Sequence, residues 1–199
     1  METQIVNMAS LFGHIAASSA IGCAFFPKQV YPATLLLAGF CAFAPDLDVL
    51  AFRFDVPYGS EWGHLGWTHS LVFGMVFGGL MAWLSRGLTT RSRLTVSSEN
   101  GQTTWSRQTI FAWLILSTIS HPLLDMLTNG GRGCALWWPF SSERIFFPFR
   151  PVEVSPMSVS GFISEWGLTV LASEAVWIGL PALGLVLVSK LFRKSGLAY

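Results

Sequence analysis

Ile119-Ser120-His121-Pro122-Leu123-Leu124-Asp125-Met126 sets an imidazole and a carboxylate four residues apart in an otherwise apolar run. On a helix, positions i and i+4 stack on one face, so His121 and Asp125 can reach toward a common point. Burying either group alone is costly, so the pair requires partners. The sequence supplies them at His14, His64 and His69, which complete its four histidines, and at Asp46 and Asp48 behind Pro45. The pattern predicts a polynuclear metal site assembled by several helices.

Composition defines the solvent in which those helices sit. Of 199 residues, 52% are hydrophobic and 12% charged, with a mean hydropathy of +0.52. Soluble globular chains carry about 25% charged residues. Half that leaves too little polar material to cover a water-facing surface, so the expected class is an all-α, polytopic membrane helical bundle. Nine tryptophans and sixteen phenylalanines agree, because aromatic side chains gather at membrane–water interfaces. The net charge is +1 and the twelve basic residues are dispersed, which argues against nucleic acid as a partner. Membrane lipids and a small-molecule or lipid substrate are the expected partners. Cys23, Cys41 and Cys134 form no CxxC pair and read as small core residues. No basic residue precedes Lys28, so a cleavable signal peptide is not expected.

The expected architecture is about five apolar helices in one integral-membrane domain over 1–199, at 5–26, 31–44, 68–84, 109–127 and 166–192. The site-bearing part spans about 8–140, and 166–192 is the C-terminal membrane helix. The second segment is short for a full crossing, and Pro45 marks a break after it. Thr68 or Ser70 should cap the third helix, and Pro122 should kink the fourth. The proline- and aromatic-rich stretch 137–151 suits a loop in the headgroup layer. The loop 85–108, the Lys28 turn and the C-terminal tail hold eight of the twelve basic residues. If every segment crosses, these share one side, which the positive-inside rule makes cytoplasmic. The protein is then a multi-pass protein of the bacterial inner (plasma) membrane with its site near the periplasmic face.

The candidate metal ligands are His14, Asp46, Asp48, His64, His69, His121 and Asp125. Imidazole and carboxylate donors suit zinc, with manganese or iron as alternatives. Seven donors exceed the need of one tetrahedral ion and fit two ions with a bridging carboxylate and open water positions. Each residue also has a plainer reading. His121 and Asp125 could simply hydrogen-bond one another, and His14 could be a packed helix histidine. Asp46 and Asp48 could cap a helix, and His64 and His69 could be loop and cap residues. Glu174 could pair with a polar neighbour; Arg132, Arg144 and Arg150 could grip a phosphate, but loop arginines more often bind lipid headgroups or solvent.

Gly13-His14, Ala44-Pro45-Asp46-Leu47-Asp48, His64 with Trp67-Thr68-His69-Ser70, and His121-Pro122-Leu123-Leu124-Asp125 with Thr128 resemble the YdjM-like family. The resemblance runs from about residue 8 to residue 140. It implies a membrane-bound, LexA-regulated, metal-dependent hydrolase distantly similar to zinc-dependent phospholipase C. By that similarity Asp46, His69, His121 and Asp125 are direct ligands and catalytic residues, with Asp125 bridging. His14, Asp48 and His64 would complete a second metal position. The expected reaction is hydrolysis of a phosphoester or related ester. A transporter or proton relay built on the same buried His/Asp cluster is the alternative, as is a membrane protein whose metal is only structural.

Overall fold

The computed structural model describes residues 8–85, 107–156 and 159–195. The start of the first apolar segment and nearly all of the basic loop 85–108 lie outside the described residues. Among the described residues the regular structure is helical, with irregular chain at 55–66 and 126–156, and no strand forms, only isolated bridges.

Helix α1, Leu11–Phe25, begins where the Ser10 hydroxyl accepts from the Gly13 amide, and it ends ahead of Pro27. Helix α2, Pro32–Phe43, starts on a proline, whose missing N–H costs nothing in a first turn. The break expected at Pro45 does not occur. The helix tightens instead into a 3-10 segment, Ala44–Phe54, with Pro45 in its first turn, and stops at Asp55 in a left-handed conformation (φ 57°). The apolar helix Pro32–Phe54 is therefore 23 residues long, a correction to the short second segment expected from sequence.

Helix α3, Leu71–Leu84, is capped by Ser70, whose hydroxyl accepts from the Phe73 amide at 3.0 Å. Helix α4, Arg107–Asp125, continues through Pro122, and Thr128 closes it by donating to the Asp125 carbonyl. After a short turn of helix, α5 (Val159–Phe162), the chain enters α6, Glu165–Lys194, which holds a π-helical turn at Ala175–Gly179.

α4 is the central element and packs on α1, α2 and α3. Its approach to α3 depends on glycine. A Cβ at Gly78 would stand 2.7 Å from the Ile115 Cα. Close packing through small residues is how helices associate where no hydrophobic drive separates protein from lipid. On the other flank, the Trp113 indole lies against Gly22 and donates to the Ser18 carbonyl at 3.0 Å.

α6 runs parallel to α1. Ser10 meets Glu174 near one end, and the Arg193 guanidinium donates to the Ala24 carbonyl at 2.6 Å near the other. At 1.5 Å per residue, α6 is about 45 Å long. Only 6% of its apolar window is buried, and Leu180, Leu183, Leu187 and Leu191 are exposed. By length and composition, α6 is long and apolar enough to cross a membrane. α1 and α3, of 15 and 14 residues, are apolar but shorter.

Candidate metal centre

Four helical elements deliver the donors. His14 comes from the first turns of α1, Asp46 and Asp48 from the 3-10 extension of α2, His69 from the turn before α3, and His121 and Asp125 from the end of α4. All four histidines are completely buried, as are Asp46 and Asp125 to within 2%. The structure thus brings every candidate ligand into one region, but it divides them differently from the sequence expectation.

Asp46, His69, His121 and Asp125 form one group, with one donor atom from each lying within 4.8 Å of all the others. His69 Nε2 and His121 Nε2 are 3.0 Å apart. Asp125 Oδ2 lies 3.1 Å from His121 Nε2 and 3.4 Å from His69 Nε2. Asp46 Oδ1 lies 3.2 Å and 3.6 Å from the same two atoms. Around a tetrahedral ion with bonds of about 2.0–2.1 Å, neighbouring donors stand about 3.3–3.4 Å apart. The five separations bracket that value.

The far sides of both rings are fixed. His121 Nδ1 donates to the Ala42 carbonyl at 2.6 Å. His69 Nδ1 faces Thr68 Oγ1 at 3.0 Å, and that hydroxyl donates to Asp48 Oδ2 at 2.5 Å, so Oγ1 is the acceptor for the ring. With both Nδ1 protons so placed, both Nε2 lone pairs point into the group, an arrangement that histidine ligands adopt when a carbonyl or carboxylate orients them. Asp46 Oδ1, Asp46 Oδ2 and Asp125 Oδ2 are buried and have no hydrogen-bond partner. Three carboxylate oxygens without donors, facing two imidazole lone pairs, form a buried anionic hole. The donor set and the orphaned oxygens fit a divalent cation.

Asp48 plays another part. Its Oδ1 lies 2.5 Å from His64 Nδ1, and its Oδ2 lies 3.3 Å from His69 Nδ1 beyond the Thr68 bond. Asp48, His64 and His69 are a second group with metal-ligand spacing, so the residue shared by the two groups is His69 and not Asp125. His14 is not in that group. Its ring stacks on His121 at 3.9 Å between centroids, and its Nε2 lies 3.4 Å from Asp125 Oδ1. His14, Asp48 and His64, expected to complete a second position, thus do not form one donor group of their own. In a 3-10 helix with three residues per turn, positions two apart point in different directions, so Asp46 and Asp48 serve different neighbours.

Three residues that the sequence put forward or passed over find their role here. The Arg144 guanidinium donates to the carbonyls of His64, Tyr58 and Ser60 at 2.8–3.0 Å, so it fastens the loop carrying His64 rather than gripping a phosphate. Thr68 relays His69 to Asp48; the Thr-His-Ser motif contained it without revealing that task. The Ala42 carbonyl had no side-chain signal to find. Cys134 is not a ligand. Burial pushes its thiol upward, which keeps it neutral, and it donates to the Pro122 carbonyl at 3.6 Å.

Comparison with known proteins agrees with this site-bearing region and extends past it. Residues 8–197 match the family described as YdjM inner membrane protein. The chain belongs to that family. It is 37% identical over 179 residues to inner membrane protein YbcI of Escherichia coli (strain K12), covering 88% of this chain and 94% of YbcI. No solved structure matches. An inner-membrane location follows for this member of the YdjM family, and the exposed apolar surface of α6 accords with it.

Proposed function

We propose that this YdjM-family member is a membrane-embedded, metal-dependent hydrolase that cleaves a phosphoester or related ester of a lipid-like substrate. One observation carries the reading: four buried donors from three parts of the chain aim at one point and leave three carboxylate oxygens otherwise unpartnered. A divalent ion held there, zinc by the donor chemistry and manganese or iron by the same ligands, supplies Lewis acidity and a bound water acidified toward neutral pH. His69 and His121 hold their Nε2 lone pairs toward the ion. Asp125 is tethered through Oδ1, which accepts from the Ala9 amide at 2.9 Å, so Oδ2 stays turned inward. Asp46 has both oxygens uncommitted, and its second oxygen is the group able to hold a proton taken from water.

Topology supports placing this chemistry at the outer face. Lys28 follows the end of α1 where Arg193 docks, whereas His14, Asp125 and Glu174 gather at the opposite end. A multi-pass arrangement with the basic end cytoplasmic puts the donors on the periplasmic side. The exposed Phe140 and Phe149 then lie in the outer headgroup layer.

A second reading, an ion that only ties the helices together, is favoured by the number of donors. Four protein ligands can close a tetrahedron and leave no position for water. The test is elemental analysis and X-ray absorption on purified protein, with His121→Ala and Asp125→Ala beside the parent. The hydrolase reading expects about one bound ion per chain, lost in both variants, a water-derived oxygen in the coordination shell, and changed membrane lipid composition when the parent is expressed. Metal content unaffected by both substitutions removes the centre itself; a saturated protein shell with unchanged lipids leaves the structural role.

A further inference from the structure

We infer that the substrate's acyl chain lies in the groove between α1 and α2, entering sideways from the bilayer with its ester end at the metal centre. This rests on the hydrolase reading above and adds to it the class of substrate and its path.

The groove has a volume of about 370 Å³ and is lined by Leu11, Ile15 and Ser19 from α1 and by Leu36, Gly39 and Phe40 among the α2 residues. Leu11, Ile15 and Ser19 are spaced four apart, so they form one stripe. The stripe covers eight residue steps, about 12 Å at 1.5 Å per residue. Ser19 is the one residue of the lining whose side chain has a polar group. Leu36 and Phe40 are exposed, so the groove opens outward, toward lipid in an inner membrane protein.

What distinguishes this groove from the general lipid-facing surface is where it ends. α1 and α2 are the helices that also deliver donors. His14 stands between Leu11 and Ile15 in sequence and points to the cluster instead. Phe43, which also lines the groove, follows the Ala42 carbonyl that orients His121 and precedes Asp46 by three residues. One end of the apolar slot is therefore one residue from the carbonyl that orients His121. An amphiphile with its hydrocarbon in the slot would present the bond next to its headgroup at that end. A free, water-borne ester has no use for such a slot, so the occupant is one chain of a bilayer lipid.

Gly39 controls the slot. A Cβ built there meets only Ile15, at 3.7 and 4.0 Å, which is ordinary contact. A small side chain is accommodated, while a large one must extend into the groove. The probe is a phosphatidylglycerol or phosphatidylethanolamine bearing a photoactivatable diazirine in mid-chain, incorporated with the full-length protein into nanodiscs. Labelled positions are read by peptide mass spectrometry in the parent, in Gly39→Phe and in Ser19→Phe, each checked for bound metal. The expected result is label concentrated on Ile15, Leu36 and Phe40 in the parent, at least fivefold above Leu183 and Leu187 of α6. That excess should be lost in either variant that retains its metal. Label spread evenly over lipid-facing helices overturns the proposal, as does an excess that survives both substitutions. Disulfide formation between two copies of an Ile15→Cys variant also overturns it, since the groove is then an interface between copies. The parent map alone decides if both variants misfold. Loss of metal from the parent with the label still concentrated in the groove would count against the hydrolase and not against the lipid slot.

Discussion

Two imidazole nitrogens, His69 Nε2 and His121 Nε2, face each other at 3.0 Å inside a fully buried cluster while both rings are held from behind. Without a cation, at most one proton fits between them, and the orphaned oxygens of Asp46 and Asp125 remain. The contact is a site seen from its donors. What holds the rings is as decisive as what they hold, because rotation of either ring would remove a lone pair from the point of convergence.

The first consequence concerns Asp48. Its carboxylate orients His69 through Thr68 and directly engages His64, without itself lying in the four-donor group. Partners of this kind tune a site by about 10–100-fold in metal affinity. Asp48→Asn should lower affinity within that range, whereas Asp46→Asn should abolish stoichiometric binding. Competition titration with a chromophoric chelator measures both. Equal losses in the two variants would contradict the division of labour between these aspartates.

Protons compete with metal for the same lone pairs. An imidazole becomes protonated as the pH falls, and a ligand must be deprotonated to bind. Retention should therefore be highest at alkaline pH and fall on acidification. Dialysis at a series of pH values followed by elemental analysis checks the sign. Retention that rises on acidification, or does not change, is incompatible with histidine ligation.

Gly78 offers a test of the scaffold apart from the chemistry. Its missing side chain lets the α4 backbone approach, and a Cβ there would meet Ile115 Cα at 2.7 Å and Ile115 N at 2.9 Å. Backbone cannot swing aside, so Gly78→Ala should cost about 1–3 kcal/mol. Gly39→Ala, which meets only the Ile15 side chain, should be close to neutral. Unfolding midpoints in mixed micelles compare the pair. A neutral Gly78→Ala would mean that α3 and α4 do not pack this closely.

That these residues converge was legible because chemistry is written in residue types: four histidines and three aspartates gathered in an apolar chain have few other uses. Their grouping was not. Asp46 and Asp48 look equivalent in the string, and only the 3-10 geometry separates them. Pro45 reads as a break, yet a proline in the first turn of a new helical segment sacrifices no hydrogen bond, and the helix runs on. The Ala42 carbonyl and the Arg144 clamp are backbone contacts, invisible to any count of side chains. The family resemblance implied that Asp125 bridges; in the structure His69 is the residue common to the two donor groups, and Asp125 Oδ1 accepts from the Ala9 amide.

Glu174 was open between function and pairing, and the structure resolves it as a latch. Its two oxygens accept from the Ser10 amide and the Ser10 hydroxyl, both at 2.5 Å, in a site that is 4% exposed. A carboxylate at the start of α1 also complements the positive end of that helix. Ser10 is next to Ala9, whose amide holds Asp125, so the latch ties α6 to the segment that positions a metal donor. Removing it leaves two buried donors unpaired, at about 1–3 kcal/mol each. Glu174→Ala should therefore lower the unfolding midpoint markedly and weaken metal retention, and Glu174→Gln, which keeps an acceptor, should recover part of both. If the alanine variant retains metal and stability alike, the contact between α6 and the start of α1 does not form.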